Sequence, residues 1–269
     1  MEQEHNLTIF ETHAHYDDER FDEDREELLA SLPGQGVRIV VNIGNDLKSL
    51  EACRELAKRY DHVYCTLGLH PSEVEEADDK VLEQIRKDAL TNPKVLAIGE
   101  IGLDYHWPEP DPELQRLWFR KQLQLAAEVK KPVVIHSRDA AEDTIGILRE
   151  EHAEQLGGVI HCYSYGKAEA KDYLDLGFYF GIGGVVTFKN SYPLKEALEI
   201  IPLERIVLET DTPYLAPEPF RGRRNDSRKL TYVVKALAEL KGITEEQVAK
   251  VTFENAKKMY RMEAVNGAF

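Results

Sequence analysis

Five of the nine histidines in this chain, His13, His15, His70, His136 and His161, fall at or just after the end of a short apolar run. Carboxylates stand at the ends of the same kind of run: Glu11, Glu100, Asp104, Asp139, Glu209 and Asp211. Imidazole and carboxylate together are ligands that suit Zn, Mn, Fe, Ni or Mg, and the histidine share argues against a purely oxygen-lined Mg site. His13 and His15 are two apart in an extended segment, so both rings point to one face and can share one cation. Glu209 and Asp211 have the same offset; one suits a ligand and the other the support of a ligand. Each residue alone has a plainer reading, a solvated strand end or a packed core histidine. Recurrence at successive run ends weighs against that reading.

Other features near the same ends are less specific. Arg138 suits substrate binding, and Asp139 suits either that role or the N-cap of the next helix. His70 before Pro71 suits a substrate contact or a buried structural ring. The segment 104–112 is rich in aromatic residues and proline and offers stacking surfaces for bases, or is a stiff ordinary loop. Arg221, Arg223, Arg224, Arg228 and Lys229, set against Asp226, form a cationic stretch that suits a phosphate clamp or a solvated loop. Cys162 reads as a packing residue on the strand face opposite His161.

Positioning these groups is the task of a repeating pattern. Apolar runs at 7–10, 37–43, 63–67, 95–98, 132–135, 158–160, 178–182 and 205–208 are rich in Val and Ile, as strands buried on both faces should be. Amphipathic stretches at 23–32, 47–59, 80–90, 113–129, 140–150, 168–176 and 194–200 lie between them, with two more at 227–241 and 244–261. Asp46 and Thr244 with Gln247 read as helix starts, and Gly242 as a helix end. Eight strands alternating with helices predict an α/β fold, a (β/α)8 TIM-type barrel in one domain over 1–269, whose active site collects at the C-terminal ends of the strands. An open doubly wound sheet would carry a glycine-rich turn after its first strand; here that place holds His-Ala-His.

The composition narrows the class. The net charge of −15 argues against non-specific coating of nucleic acid, and no apolar run reaches the roughly 18 residues of a membrane span. Three scattered cysteines without a CxxC argue against a disulfide framework and a thiolate zinc site. The polar, acidic start over 1–10 shows no signal peptide, so a cytoplasmic protein is expected.

Taken in order, Glu11-Thr-His-Ala-His15, Gly99-Glu-Ile-Gly-Leu-Asp-Tyr105, His136-Ser-Arg-Asp139, His161-Cys162, Glu209-Thr-Asp-Thr-Pro-Tyr-Leu215, Arg221-Gly-Arg-Arg-Asn225 and Glu254-Asn-Ala-Lys257 resemble the TatD family of metal-dependent deoxyribonucleases, one of the amidohydrolase-like barrels. The resemblance implies two divalent cations, one on His13, His15 and Asp211 and one on His136 and His161, with Glu100 bridging and His70 binding or orienting the substrate. It implies a 3′→5′ exonuclease acting on DNA, at a single-stranded or frayed 3′ end, by a water shared between the cations, with Asp211 as general base or as ligand. Arg138, Arg221, Arg223 and Arg224 are then the expected substrate contacts, and a monomer is expected. Cleavage of another ester or an amide by the same centre, as in an aminoacyl-tRNA deacylase, is the alternative; a scaffold with a vestigial site is a third reading. Three positions depart from the family pattern: Glu11 where Asp is usual, Tyr165 where the loop glycine is usual, and Asp226-Ser227 where Glu-Pro is usual.

Overall fold

The structure, a computed structural model, describes residues 7–262. The polar chain start, from which no leader was read, lies outside the described residues for its first six positions. Eight parallel strands run in chain order around one sheet: β1 Ile9–Ala14, β2 Val37–Gly44, β3 Val63–Leu67, β4 Val95–Asp104, β5 Val133–Arg138, β6 Gly158–Ile160, β7 Tyr179–Ile182 and β8 Ile206–Leu208. Helices follow them: α1 Arg25–Ser31, α2 Leu47–Arg59, α3 Asp79–Thr91, α4 Pro112–Val129, α5 Ala141–Glu150, α6 Lys167–Asp175, α7 Tyr192–Ile200, and α8 Leu230–Lys241 with α9 Glu245–Met259 after β8. This is the (β/α)8 barrel the pattern predicts.

The last strand meets the first through little ladder. One parallel bridge joins Ala14 to Thr212, His15 N donates to Thr212 O at 2.8 Å, and Asp211 N donates to His13 O at 3.0 Å. Side chains complete the seam. Thr12 Oγ1 donates to Leu208 O at 2.8 Å. Glu11 Oε1 accepts from His13 N at 3.1 Å and Thr210 N at 2.9 Å, and its Oε2 accepts from Thr210 Oγ1 at 2.7 Å. Glu11 is fully buried. A carboxylate that collects three donors stands in for missing strand pairing.

Two apolar clusters flank the strands. On β2, Val40 belongs to the layer shared with the helices, and Asn42 reaches Cys53 of α2, whereas Ile39, Val41 and Ile43 join Phe10, Val134, Val159 and Val207 in a second cluster. Residues Met259 and Tyr260, at the end of α9, pack on that second cluster, and Tyr260 Oη donates to Thr12 O at 2.8 Å. Each fully buried side chain of this kind contributes about 1.5–3 kcal/mol.

Three strands run at least three residues further than their apolar runs. β1 reaches Ala14, β4 reaches Asp104 and β5 reaches Arg138, so His13, Glu100, Asp104 and His136 lie inside strands and not beyond them. The reason is pairing: Gly102 stands opposite His136 and Asp104 opposite Arg138 in the β4–β5 ladder, and polarity does not end a strand whose neighbour continues. The first helical stretch divides into α1 and a 3-10 turn Leu32–Gln35 around Pro33. The caps at Asp46 and Thr244 form as expected, and Gly242 ends α8 in the left-handed conformation. Asp139 does not cap α5: the cap position is Ala140, and Asp139 pairs with His106 Nδ1 at 2.9 Å. Cys162 is not on a strand face. It follows β6 with φ 47°, and its N–H donates to Glu209 Oε1 at 2.6 Å. Among the described residues no helix is long and apolar enough to cross a membrane.

Candidate metal centre

The strand ends bring the histidines together. His13 Nε2 lies 3.3 Å from His15 Nε2, 3.4 Å from Glu100 Oε2 and 3.7 Å from Asp211 Oδ1. His15 Nε2 lies 3.4 Å from the same Asp211 oxygen. His15 Nδ1 is 3.2 Å from Ile43 O, an acceptor, so that nitrogen carries a proton and Nε2 is the one available to a cation. The ring of His161 stacks on His13 at 3.7 Å.

Glu100, buried on β4, faces both sides of this group. Its Oε2 looks toward His13, while its Oε1 lies 2.9 Å from His136 Nδ1, 3.1 Å from His161 Nε2 and 3.8 Å from His70 Nε2. Gly102 allows this approach. Its φ is +147°, and a Cβ there would run into the His136 carbonyl. Gly181 does the same for Glu209, whose carboxylate occupies the space a Cβ would take. Glu209 sits behind His161, 3.2 Å from its Nδ1. The two carboxylates after β8 therefore divide: Asp211 faces His13 and His15, and Glu209 backs His161.

His13, His15 and Asp211 form one compact group of potential ligands, and His13, Glu100 and His161 form another. His136 differs from the expected partition. Its Nδ1 meets Glu100, but its Nε2 is 3.0 Å from Asp104 Oδ2, and it groups with His70 and Asp104.

Buried charge of opposite sign sets the electrostatics. Burial opposes the charged form of Glu100, yet the neighbouring His161 and His13 hold its carboxyl well below the ordinary range. Burial likewise opposes the His161 cation, and Glu100 and Glu209 raise it well above the usual value. His15 is lowered by burial, but Asp211 and Glu100 lift it to about 9. His70 goes the other way, pushed down to about 3 by burial and by His136. Protons and cations compete for the same lone pairs in such a site. The donor set fits divalent cations: nitrogen and oxygen only, with His13 Nε2 and His15 Nε2 converging on the Asp211 carboxylate, and His13 Nδ1 buried without a hydrogen-bond partner.

Two glutamines on α4 hold this mouth in place, and no spacing rule marked them. Gln115 accepts from Asp104 N at 2.9 Å and donates to Asp104 O at 2.9 Å and Pro110 O at 2.7 Å. Gln122 accepts from Leu69 N at 2.7 Å and donates to Leu69 O at 3.0 Å, which sets the backbone before His70. The available signal was two amides seven apart on the apolar face of an amphipathic helix.

The basic rim is weaker than the sequence suggests. Arg224 is committed to Asp24, and Arg228 and Lys229 are committed to Asp226. Arg221 and Arg223 stay exposed and, among the described residues, pair with no carboxylate; Arg221 lies over the Phe188 ring at 4.5 Å. Arg138 is exposed at the end of β5. Of the aromatic loop, Tyr105 is tied to Asp143 at 2.6 Å, while Trp107 is 60% exposed. The unusual Tyr165 bonds Ser137 Oγ at 3.0 Å, and Ser227 bonds Tyr16 Oη at 2.7 Å, so both departures from the family pattern are built into the mouth.

Comparison with known proteins agrees with this geometry. Residues 10–261 match the family described as TatD related DNase. The chain is 41% identical over 254 residues to the metal-dependent hydrolase YabD of Bacillus subtilis, covering 94% of this chain and 99% of that one. It is 35% identical over 261 residues to the metal-dependent hydrolase YcfH of Escherichia coli, covering 96% and 97%. Among solved structures, the TatD homolog YJJV from Escherichia coli superimposes with a TM-score of 0.89 at 28% identity, over 95% of this chain and 99% of that one. A barrel whose strand ends gather histidines and carboxylates in these positions, matched along nearly its whole length, belongs to the TatD family of metal-dependent hydrolases.

Proposed function

We propose that this hydrolase is a deoxyribonuclease, a 3′→5′ exonuclease that removes nucleotides from a single-stranded or frayed 3′ end in the cytoplasm. His13, His15 and Asp211 would hold one divalent cation, and His136 and His161 a second, with Glu100 between them. The observation that carries the reading is Glu100: each of its oxygens faces a different set of histidines. Two cations bound there would supply a polarised phosphoryl oxygen and an acidified water.

The chain's own groups have separate tasks. Asp211, with its side chain 20% exposed, is the carboxylate placed to accept the proton of an attacking water. Glu209 keeps the His161 ring in its plane from behind. Exposed Arg221 and Arg223 neutralise flanking phosphates, and Trp107 offers a face on which a terminal base can stack. A charge of −15 spread over the chain, with exposed Arg138, Arg221 and Arg223 at the mouth, suits weak capture of a strand end and not the coating of a duplex.

The test is cleavage of end-labelled single-stranded DNA by protein reconstituted in turn with Mg, Mn, Zn, Ni or Fe, with an aminoacyl-tRNA assayed alongside. Release of nucleotides from the 3′ end, abolished by Glu100→Ala, is expected. Undiminished cleavage by that variant, or deacylation of the tRNA with the DNA left intact, overturns the proposal.

A further inference from the structure

A cavity of about 360 Å³ opens beside the metal centre, between the segment after β1, the start of α2 and the segment after β8. Its volume lies within the roughly 300–1,000 Å³ usual for small-molecule sites. His15 stands in its wall, so whatever fills it lies next to the place where His15 meets Asp211.

Tyr214 and Arg20 form one wall. Tyr214 N donates to Asp211 O at 2.9 Å, which ties the residue to the centre. Its Oη donates to Asp18 Oδ2 at 3.2 Å, and the Arg20 guanidinium lies 4.5 Å from the ring centre. Asp18 is itself fixed, because Arg20 N donates to its Oδ1 at 2.8 Å. The ring is thus oriented beforehand, yet Tyr214 is 44% exposed. An exposed aromatic residue alone needs no explanation. One that is held at its hydroxyl, stacked by a guanidinium and set in a cavity beside a hydrolytic centre is a platform for a flat ring.

The start of α2 forms another wall. Asn45 Oδ1 accepts from Ser49 Oγ at 3.0 Å, and among the described residues Asn45 Nδ2 meets no acceptor. Asp46 Oδ1 accepts from Ser49 N at 2.6 Å. Apart from His15, the charged lining is Asp17, Asp18, Glu19 and Asp46 against Arg20 and Lys48, so the field in the cavity is negative. The exposed arginines of the mouth, Arg138, Arg221 and Arg223, line none of it. Such a lining repels a phosphate and offers acceptors to hydroxyl and amino donors.

We propose that this cavity receives the terminal nucleoside of the strand, with its base on Tyr214 and Arg20 and its free 3′-hydroxyl toward the carboxylates, and that it excludes a 3′-phosphate. The choice of a nucleoside and of its 3′ end rests on the function proposed above; the cavity and its charge do not. The phosphate that joins this nucleoside to the strand then lies at His15 and Asp211, and the chain leaves past the exposed arginines. Trp107, in the segment after β4, is left to the next base.

The test uses full-length, zinc-loaded protein and two probes in calorimetric titrations, deoxyadenosine 5′-monophosphate and deoxyadenosine 3′,5′-bisphosphate. The monophosphate should bind roughly ten-fold more tightly than the bisphosphate, despite its smaller charge. Tyr214→Ala should weaken the monophosphate by roughly ten-fold, and Tyr214→Phe, which keeps the ring, should stay within about two-fold of the parent. Glu19→Gln combined with Asp46→Asn should narrow the gap between the probes, and Asn still caps α2. Zinc content of Tyr214→Ala should match the parent; loss of zinc would make the ring a support of the centre and overturn its role as a platform. On end-labelled single-stranded DNA, a 3′-phosphate should slow release by roughly ten-fold. Equal binding of the two probes, unchanged affinity in Tyr214→Ala, or equal cleavage of both kinds of end overturns the proposal. Should the parent protein cleave no DNA, the function proposal fails, and the titrations still decide whether the cavity takes a nucleoside.

Discussion

Arg224 and Asp24 form a two-point ion pair across 200 residues of sequence, with Nη1 2.7 Å from Oδ1 and Nη2 2.5 Å from Oδ2. The guanidinium also lies 4.7 Å from the centre of the Phe21 ring. The pair staples the segment after β8 to the start of α1, and the hydrogen bond from Arg224 holds the Asp24 carboxyl below its ordinary value.

Arg224 is therefore a structural cation, whereas Arg221 and Arg223 are not. Arg224→Ala should lower unfolding free energy by about 1 kcal/mol, a modest figure because both partners are partly exposed. Its effect on DNA cleavage should be small. Arg221→Ala and Arg223→Ala should leave stability unchanged, raise KM for single-stranded DNA several-fold, and each flatten the dependence of log affinity on log salt by about 0.7. Denaturation curves and KM measured across a salt series check both halves. A larger KM effect from Arg224 than from Arg223 would reverse the assignment.

Glu11 acts on the seam of the barrel. Glu11→Ala leaves the N–H groups of His13 and Thr210 and the Thr210 hydroxyl without their acceptor in a buried place. The loss should be on the order of 3 kcal/mol, since unmet buried donors cost about 1–3 kcal/mol each and partial relaxation recovers some of it. Glu11→Gln retains an oxygen for the two backbone donors and should be much milder. Urea denaturation of metal-loaded protein distinguishes the two, and equal stability of Ala and Gln variants would remove the seam role.

The parts of this molecule that could be read from its sequence share one property: their signal is local. Val and Ile runs marked the strands because burial on both faces leaves no polar alternation. The histidines stood out because imidazoles at successive run ends have no packing explanation. The ends of β1, β4 and β5 lie beyond their apolar runs because continuation depends on the neighbouring strand, as Gly102 opposite His136 shows. Arg224 read as free because its partner Asp24 lies in another part of the chain. Gln115 and Gln122 were silent for the same reason: a buried amide gains meaning only from the backbone it faces.

Gln122 supports His70 from outside the centre. Gln122→Leu preserves bulk but leaves the buried N–H and C=O of Leu69 unpaired. Stability should fall by about 2–3 kcal/mol. The loop before His70 should loosen, so kcat should drop by more than stability explains when assayed well below the melting temperature. An unchanged kcat at that temperature would confine Gln122 to a structural role.

Asp211 separates ligation from proton transfer. Asp211→Asn keeps an oxygen near His13 and His15 but removes the basic carboxylate. Cation content should hold close to that of the parent protein while kcat falls by roughly 10²–10⁴-fold. Full loss of a cation would make Asp211 a ligand before all else, and unchanged kcat would remove it as the proton acceptor.

Cation binding should be strongly pH-dependent, with a sign set by the rings. Asp211 and Glu100 lift His15 to about 9 against the pull of burial, and His136 and His161 are raised by Asp104, Glu100 and Glu209 against the same pull. With His15 lifted to about 9, that ring is a cation near neutral pH in the metal-free protein, and ligation needs its lone pair, so binding must expel a proton. Affinity should therefore rise with pH and fall steeply on acidification. Chelation should lower the melting temperature, because a ligand at about 100 times its Kd stabilises the native state by about 2.7 kcal/mol, and the drop should be larger at pH 8 than at pH 6. Calorimetric titration with zinc in two buffers of different ionisation enthalpy should report proton release at pH 7. A binding enthalpy independent of buffer would show that the rings are already neutral, and that the carboxylates around them do not hold their protons.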